Sequence, residues 1–153
     1  MTFGLNDEQI ALQHTALQVA LNDFRPQRDR WDEEKIFPVA AMRDAAKLGF
    51  GALYVPLDHG GTGLTRLDTS VVIEALSMGC VSTAAYISIH NMVAGMISTY
   101  GDQAQREKFL PGLVTMERFG SYCLTEPDSG EWRWCPMMVM VVVNCSILIV
   151  VDY

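Results

Sequence analysis

The chain has 153 residues, half of them hydrophobic, and a formal net charge of −7. This length is sufficient for one domain with a hydrophobic core. Nucleic acids and anionic membranes are bound by clustered lysine and arginine, so an acidic chain with scattered charges is expected to bind neither.

Two features bear on the compartment in which the chain works. Residues 1–8 include acids and no arginine, which predicts neither a secretory signal peptide nor a basic transit segment. The cysteines show no C-x-x-C spacing and no partnering histidines, so neither a metal site nor a disulfide framework is predicted for Cys80, Cys123, Cys135 and Cys145. Reduced thiols are typical of an intracellular compartment.

The first predicted element is a helix that begins after Asn6. Asn6 is a suitable N-cap, and Gln9 lies three residues later, as a capping box requires. Apolar residues recur at the helical period on two faces, which predicts a helix packed between neighbours. One face carries Ile10, Leu17, Ala20, Leu21 and Phe24, and the other carries Leu12, Ala16 and Val19.

A connector over residues 27–35 is predicted to lead into a second helix, which has Pro38 in its first turn and ends at Gly49. Its expected buried residues are Val39, Met42, Ala46 and Leu48. A short apolar stretch and a glycine-rich loop follow. The loop's Gly-Gly-Thr-Gly run at 60–63 lacks the spacing of a dinucleotide fingerprint or P-loop, so a turn is predicted, with phosphate binding as the alternative.

Two further helices are predicted over residues 68–78 and 82–100, followed by a helical pair over 102–118 that is interrupted at Pro111. The stripe predicted to lie in the core is Tyr86, Ile89, Val93, Met96 and Ile97. His90 and Asn91 lie beside it and are predicted to be ordinary packing residues. The alternative, that they form part of a pocket wall, comes only from the family resemblance described below. No G-x-S-x-G elbow and no acid that orients His90 is found, so no nucleophilic triad is predicted.

Five separated segments between residues 3 and 130 stand out: LNDEQ at 5–9, residues 37–51, GGTGL at 60–64, REKFLP at 106–111 and SYCLTEPDSG at 121–130. In this order they resemble segments of the acyl-CoA dehydrogenase family, in which the last is the flavin-contacting turn. Residues 68–70 and 85–92 are most similar to the isobutyryl-CoA dehydrogenase branch.

The resemblance implies a mainly α fold in three parts. Residues 1–118 would form an N-terminal helical bundle domain, residues 119–131 the start of an incomplete flavin-binding β domain, and residues 132–153 a divergent apolar tail. It also implies FAD as cofactor and acyl-CoA as ligand, in the mitochondrial matrix of a eukaryote or otherwise in the cytoplasm. The implied flavin-site residues are Tyr122, Cys123, Leu124, Thr125, Glu126, Pro127, Ser129 and Gly130.

The family's reaction removes a proton next to a thioester and passes a hydride from the following carbon to the flavin, so it needs a carboxylate base and a positioned flavin. In the family the base comes from a C-terminal helical domain that the resemblance places beyond residue 153. No catalytic residue is therefore predicted here, and the chain is expected to be an inactive fragment of an enzyme of valine catabolism. Asp128 and Glu131 stand where the family has glycine and serine, and their charge predicts weak FAD binding or none.

The apolar tail, about 17 residues long between Cys135 and Val151, leaves three interpretations open. It could form two strands divided near residues 144–146, or a membrane anchor, or it could result from a frame change or alternative exon, which is the preferred interpretation. Two alternatives to an enzyme fragment follow. The chain could be a non-catalytic interaction module that docks on full-length homologues, or a membrane-associated protein anchored by its tail.

Overall fold

The architecture is a helical body followed by a small antiparallel sheet. A computed structural model describes residues 4–123, 139–143 and 147–151. The helices are α1 (Asp7–Val19, continued by a π-helical turn at Ala20–Phe24), α2 (Arg28–Glu33), α3 (Val39–Lys47), α4 (Arg66–Ser77), α5 (Val81–Tyr100) and α6 (Gln103–Val114). The strands are β1 (Gly120–Cys123), β2 (Val139–Val143) and β3 (Ile147–Val151). The predicted mainly α fold with an incomplete β portion is confirmed.

Capping boxes begin three of the helices. The predicted box at α1 is present, since Gln9 N–H donates to Asn6 Oδ1 at 2.8 Å and Asn6 N–H donates to Gln9 Oε1 at 3.1 Å. Similar boxes at α4 and α6, capped by Thr65 and Asp102, were not predicted. Gln9 also donates through Nε2 to Asp68 Oδ1 at 2.8 Å, which ties the beginning of α1 to that of α4. Hydrogen bonds from Thr65 and Gln9 lower the pKa of Asp68.

The core is built where α1, α3, α4 and α5 meet, and it continues between α5 and α6. Ala16, Val19 and Phe24 are buried as predicted. Ile10 was expected on the same face as Phe24, but 51% of it is exposed, because α1 packs chiefly on α4 and this contact leaves Ile10 largely uncovered. The prediction that Leu48 is buried is also wrong. Its side chain is 53% exposed, because the chain turns away from α3 at Gly49, whose φ is +91°.

Two further predictions about helix limits are corrected. The connector at 27–35 contains the short helix α2. The last helical pair is a single helix, because α6 runs through Pro111 without interruption. Proline lacks the N–H that the helix would use there, but Pro111 lies in the last turn, and Leu110 and Leu113 on either side of it are buried. Core packing therefore outweighs the local preference of proline.

The glycine-rich loop is a turn folded against residues 52–56, as predicted. Gly60 and Gly63 have positive φ angles of +82° and +63°. The backbone N–H groups of residues 61–64 all donate to carbonyls, those of Pro56, Ala52, Val55 and Leu53. A phosphate would need such N–H groups to be free. The phosphate-binding alternative is thus not supported by the structure.

The sheet joins the end of the helical body to the tail. β1 pairs with β2, with Gly120 opposite Val143, and β2 pairs with β3, with Val139 opposite Val151, both antiparallel. Two strands in the tail correspond to the two-strand interpretation, and the residues that divide them, 144–146, lie outside the described part. Among the described residues no helix is long and apolar enough to cross a membrane.

Candidate functional site at the junction of α5 and β1

The strand that leads into the predicted flavin turn is fixed to α5 at its first residue, Gly120. Tyr86 Oη donates to Gly120 O at 3.2 Å, and Gly120 N–H donates to His90 Nδ1 at 3.0 Å. A Cβ atom on Gly120 would lie 2.7 Å from Val93 Cγ1. Because Tyr86, His90 and Val93 are four and three residues apart, they share one face of the helix. This face therefore holds both polar backbone atoms of Gly120 and leaves no space for a side chain.

The His90 ring also connects α5 to the end of α6. It is wholly buried, and its Nε2 lies 2.9 Å from Leu113 O. A carbonyl can only accept, so Nε2 carries a proton, and Nδ1 must be unprotonated to accept from Gly120 N–H. Burial lowers the pKa of His90, although contacts with the carbonyls of Leu113 and Gly51 work in the opposite direction. The ring is thus neutral at pH 7.

Asn91 fastens α5 to the segment that precedes the glycine-rich loop. The side chain is wholly buried. Its Oδ1 accepts from Leu53 N–H at 2.6 Å, and its Nδ2 donates to Phe50 O at 2.7 Å and to Ile87 O at 2.9 Å. Since both His90 and Asn91 are satisfied by backbone groups inside the core, the packing alternative holds for them and the pocket-wall alternative does not.

An aromatic cluster covers the outer side of the junction. Phe37 meets Tyr86 edge to face at a centroid distance of 4.8 Å, and it meets Phe119 at 5.5 Å. The guanidinium of Arg43 lies 5.8 Å from the centroid of Phe119. Burial raises the pKa of Tyr86 to about 12, so its hydroxyl stays protonated and can donate to Gly120.

Beside this cluster lies an open cavity of about 340 Å³. Its walls include Trp31, Phe37, Met42, Cys80, Thr83 and Tyr86. Asp32 is the single carboxylate among the described lining residues, and it is exposed. The mainly aromatic and apolar walls suit an apolar group.

The structure covers the predicted flavin site only in part. Tyr122 and Cys123 belong to β1, where their backbones pair with Val141 and Met140. The predicted positions Leu124, Thr125, Glu126, Pro127, Ser129 and Gly130 lie outside the described residues, as do Asp128 and Glu131. Their roles stay predictions, as do the limits of the three parts of the chain.

Sequence reasoning missed the residue on which the junction depends, Gly120. A signal was present. Tyr86 and His90 are polar groups four residues apart in an apolar helix, and such groups need partners when they are buried. The identity of the partner depends on a contact between positions 30 residues apart, which helical periodicity does not reveal.

The helical body and the strand that follows it define the class of protein. Residues 6–117 match the family described as acyl-CoA dehydrogenase, N-terminal domain. The chain therefore belongs to the acyl-CoA dehydrogenase family, and the resemblance found in the sequence is confirmed.

Particular relatives narrow this class. The chain is 55% identical over 128 residues to the mitochondrial isobutyryl-CoA dehydrogenase of Dictyostelium discoideum, covering 84% of this chain and 31% of the relative. It is 51% identical over 130 residues to the enzyme of that name from Bos taurus, covering 85% and 31%. The chain thus spans about a third of the length of the curated relatives it matches.

Solved structures agree with this assignment. A glutaryl-CoA dehydrogenase in complex with glutaryl-CoA has a TM-score of 0.77 and 30% identity, covering 85% of this chain and 34% of the other. PigA with FAD and proline has a TM-score of 0.78 and 27% identity, with coverages of 85% and 35%.

Proposed function

We propose that this chain forms the helical N-terminal body, and the first edge of the flavin site, of an FAD-dependent dehydrogenase of short branched acyl-CoA thioesters such as isobutyryl-CoA. The observation that carries the proposal is the identity of 55% and 51% to two isobutyryl-CoA dehydrogenases over about 130 residues. The proposal includes a location in the mitochondrial matrix and a place in valine catabolism, and the names of the same two relatives, both mitochondrial, support the location.

The junction at Gly120 gives this proposal a physical basis. A flavin ring must be held within a few tenths of an ångström for hydride transfer, so the strand that approaches it needs a rigid support. α5 provides that support by bonding both the N–H and the C=O of Gly120. Ser121 follows Gly120 in β1, and Tyr122 and Cys123 after it begin the predicted flavin site.

The chemistry of the turn fits one part of FAD better than another. The hydroxyl of Thr125 and the backbone near Leu124 suit the polar pyrimidine edge of the flavin. Carboxylates at 128 and 131 do not suit its diphosphate, because like charges repel. When bound, FAD would supply the hydride acceptor. The residues of this chain would orient one edge of the ring and contribute weakly to its affinity.

We further propose that these 153 residues do not turn over acyl-CoA by themselves. Proton abstraction requires a base within hydrogen-bond reach of the substrate. No buried carboxylate occurs among the residues that the structure describes. The relatives, moreover, are about three times as long as this chain.

The assay is reduction of an artificial electron acceptor by isobutyryl-CoA, and separately by a short straight-chain acyl-CoA, with added FAD. The bovine isobutyryl-CoA dehydrogenase is the positive control. The chain alone is expected to give the rate of the no-enzyme control. Reduction of the acceptor at a rate that rises with the concentration of this chain, with no other protein present, would contradict the proposal.

A second candidate is a non-catalytic module that docks on a full-length relative. One observation favours it. β3, rich in valine and isoleucine, pairs on one side only among the described strands, and an open strand edge can pair with another chain. Affinity purification from cells that also express a full-length relative tests this candidate. If the chain is such a module, the 153-residue chain retains the full-length relative, and Ile149→Pro, which interrupts β3, reduces that retention. Unchanged retention in Ile149→Pro would contradict this second candidate.

A further inference from the structure

We propose that His90 is a positioning residue for the flavin site. Its ring holds the first residue of β1 only while Nδ1 is free of a proton, so the ring controls one of the two hydrogen bonds by which α5 fixes the strand leading into the predicted flavin turn. The link to flavin rests on the proposed function, whereas the fixing of the strand rests on the junction alone.

Each ring nitrogen of His90 contacts one backbone group. Gly120 N–H needs an acceptor at the 3.0 Å contact with Nδ1, and Leu113 O needs a donor at the 2.9 Å contact with Nε2. The neutral Nε2–H tautomer satisfies both groups. The other tautomer satisfies neither, and the cationic ring places an N–H opposite the N–H of Gly120. Protonation therefore ends the contact with β1 and keeps the contact with α6.

The position of Gly120 makes this change consequential. It is the first residue of β1, and its paired partner is Val143 of β2. Its C=O is still held by Tyr86 after the ring is protonated, so the strand is released at one of two points. The expected result is a loosened beginning of β1 rather than an unfolded helical body.

The surroundings of the ring offer no ion pair that would hold a cation in place. On α5 itself the titratable neighbour is Tyr86, one turn away and uncharged. From α3, Arg43 lies over Phe119, whose ring centroid is 6.2 Å from that of His90. In the segment after α6, Glu117 is exposed and Arg118 donates to Lys108 O. Tyr54, an exposed phenol, belongs to the segment that follows Gly51. None of these described groups hydrogen-bonds to the ring.

Two substitutions separate the two hydrogen bonds. The oxygen of an asparagine side chain and the Nδ1 atom of histidine are the same number of bonds from the backbone, so His90→Asn can still accept from Gly120 N–H. The side-chain nitrogen of glutamine lies as far along as Nε2, so His90→Gln can still donate to Leu113 but leaves Gly120 without its acceptor. His59→Gln, which removes an exposed histidine, is the matched control.

The experiment is nuclear magnetic resonance on the uniformly ¹⁵N-labelled 153-residue chain. Long-range ¹H–¹⁵N spectra report which ring nitrogen of His90 carries a proton, and hydrogen exchange reports the protection of the Gly120 amide. At pH 7.5 we expect protonated Nε2 and unprotonated Nδ1. We expect the Gly120 amide to exchange about tenfold faster in His90→Gln, and within about twofold of the unchanged chain in His90→Asn and His59→Gln.

In the unchanged chain, the protection of Gly120, corrected for intrinsic exchange at each pH, should fall as the pH is lowered below the ordinary histidine value of about 6.5. The amides in the middle of α5 should keep theirs. A proton on Nδ1 at pH 7.5, or protection of Gly120 that does not change while the His90 ring protonates, would overturn the inference. So would equal exchange of Gly120 in folded His90→Asn and His90→Gln chains. The first two readouts need no variant, and none needs flavin, so a failure to bind FAD would refute the proposed function alone.

Discussion

Replacement of Asn91 by leucine tests whether the buried amide holds the segment before the glycine-rich loop on α5. The substitution removes three hydrogen bonds and introduces an apolar side chain. Ile87 O lies within α5 and keeps its helical donor. Leu53 N–H and Phe50 O lose their partners while the residues that carry them stay buried.

The magnitude follows from these two orphaned groups. A buried backbone group left without a partner costs about 1–3 kcal/mol, so we expect a loss of about 2–6 kcal/mol in the free energy of unfolding. For a chain of this size each kcal/mol corresponds to about 2–4 °C, so a loss of about 3 kcal/mol lowers the melting temperature by about 6–12 °C.

Urea unfolding and thermal unfolding, both followed by far-ultraviolet circular dichroism, measure this loss. The matched control is Asn22→Leu, because Asn22 is exposed and bonds only to Gln18 among the described side chains. The control is expected to stay within about 0.5 kcal/mol of the unchanged chain. If Asn91→Leu also stays within that range, the amide does not hold the segment and the reasoning is refuted.

Three further predictions concern the junction and the tail. Gly120→Ala should lower the free energy of unfolding by about 1–3 kcal/mol, because its Cβ would collide with Val93. Adding Val93→Ala to this variant should recover part of the lost stability. A Gly120→Ala chain as stable as the unchanged chain would count against the close contact. Because burial raises the pKa of Tyr86 to about 12, the stability that its protonated hydroxyl contributes is complete below pH 10 and is lost as the pH rises toward 12. An absorbance titration at 295 nm should show a phenolate that forms late and is missing in Tyr86→Phe, and the absence of any difference between the two chains would count against this shift. A chain that ends at Phe119 should stay helical, unfold cooperatively and be more soluble than the 153-residue chain, since valine- and isoleucine-rich strand edges promote association. Circular dichroism and sedimentation of the two chains measure this. If the short chain is unfolded while the long chain is monomeric, the tail is a needed part of the core.

Local signals were sufficient for much of the helical body. The capping box at Asn6 and the glycine at 49 marked helix limits correctly because both act through neighbours in the sequence. The capping box at Thr65 carried a signal of the same kind and was missed. Pro111 misled because local preference yields to the burial of Leu110 and Leu113, which requires knowledge of the packed state.

The junction was beyond periodicity for a different reason. The pattern placed His90 and Asn91 on α5. Their roles, however, depend on partners that are distant in the sequence, 30 residues away for His90 and about 40 residues away for Asn91. The sequence therefore indicates that buried polar groups need partners, and only the fold tells which. The flavin turn is the opposite case, since it is predicted by family resemblance and most of it lies outside the described residues.

Calorimetric titration of the 153-residue chain with FAD tests most directly the claim that this chain holds only the first edge of a flavin site. We predict binding weaker than micromolar or none. Glu131→Ser should strengthen whatever binding exists by about fivefold, because one carboxylate is removed beside the diphosphate. Micromolar or tighter affinity in the unchanged chain would contradict the account.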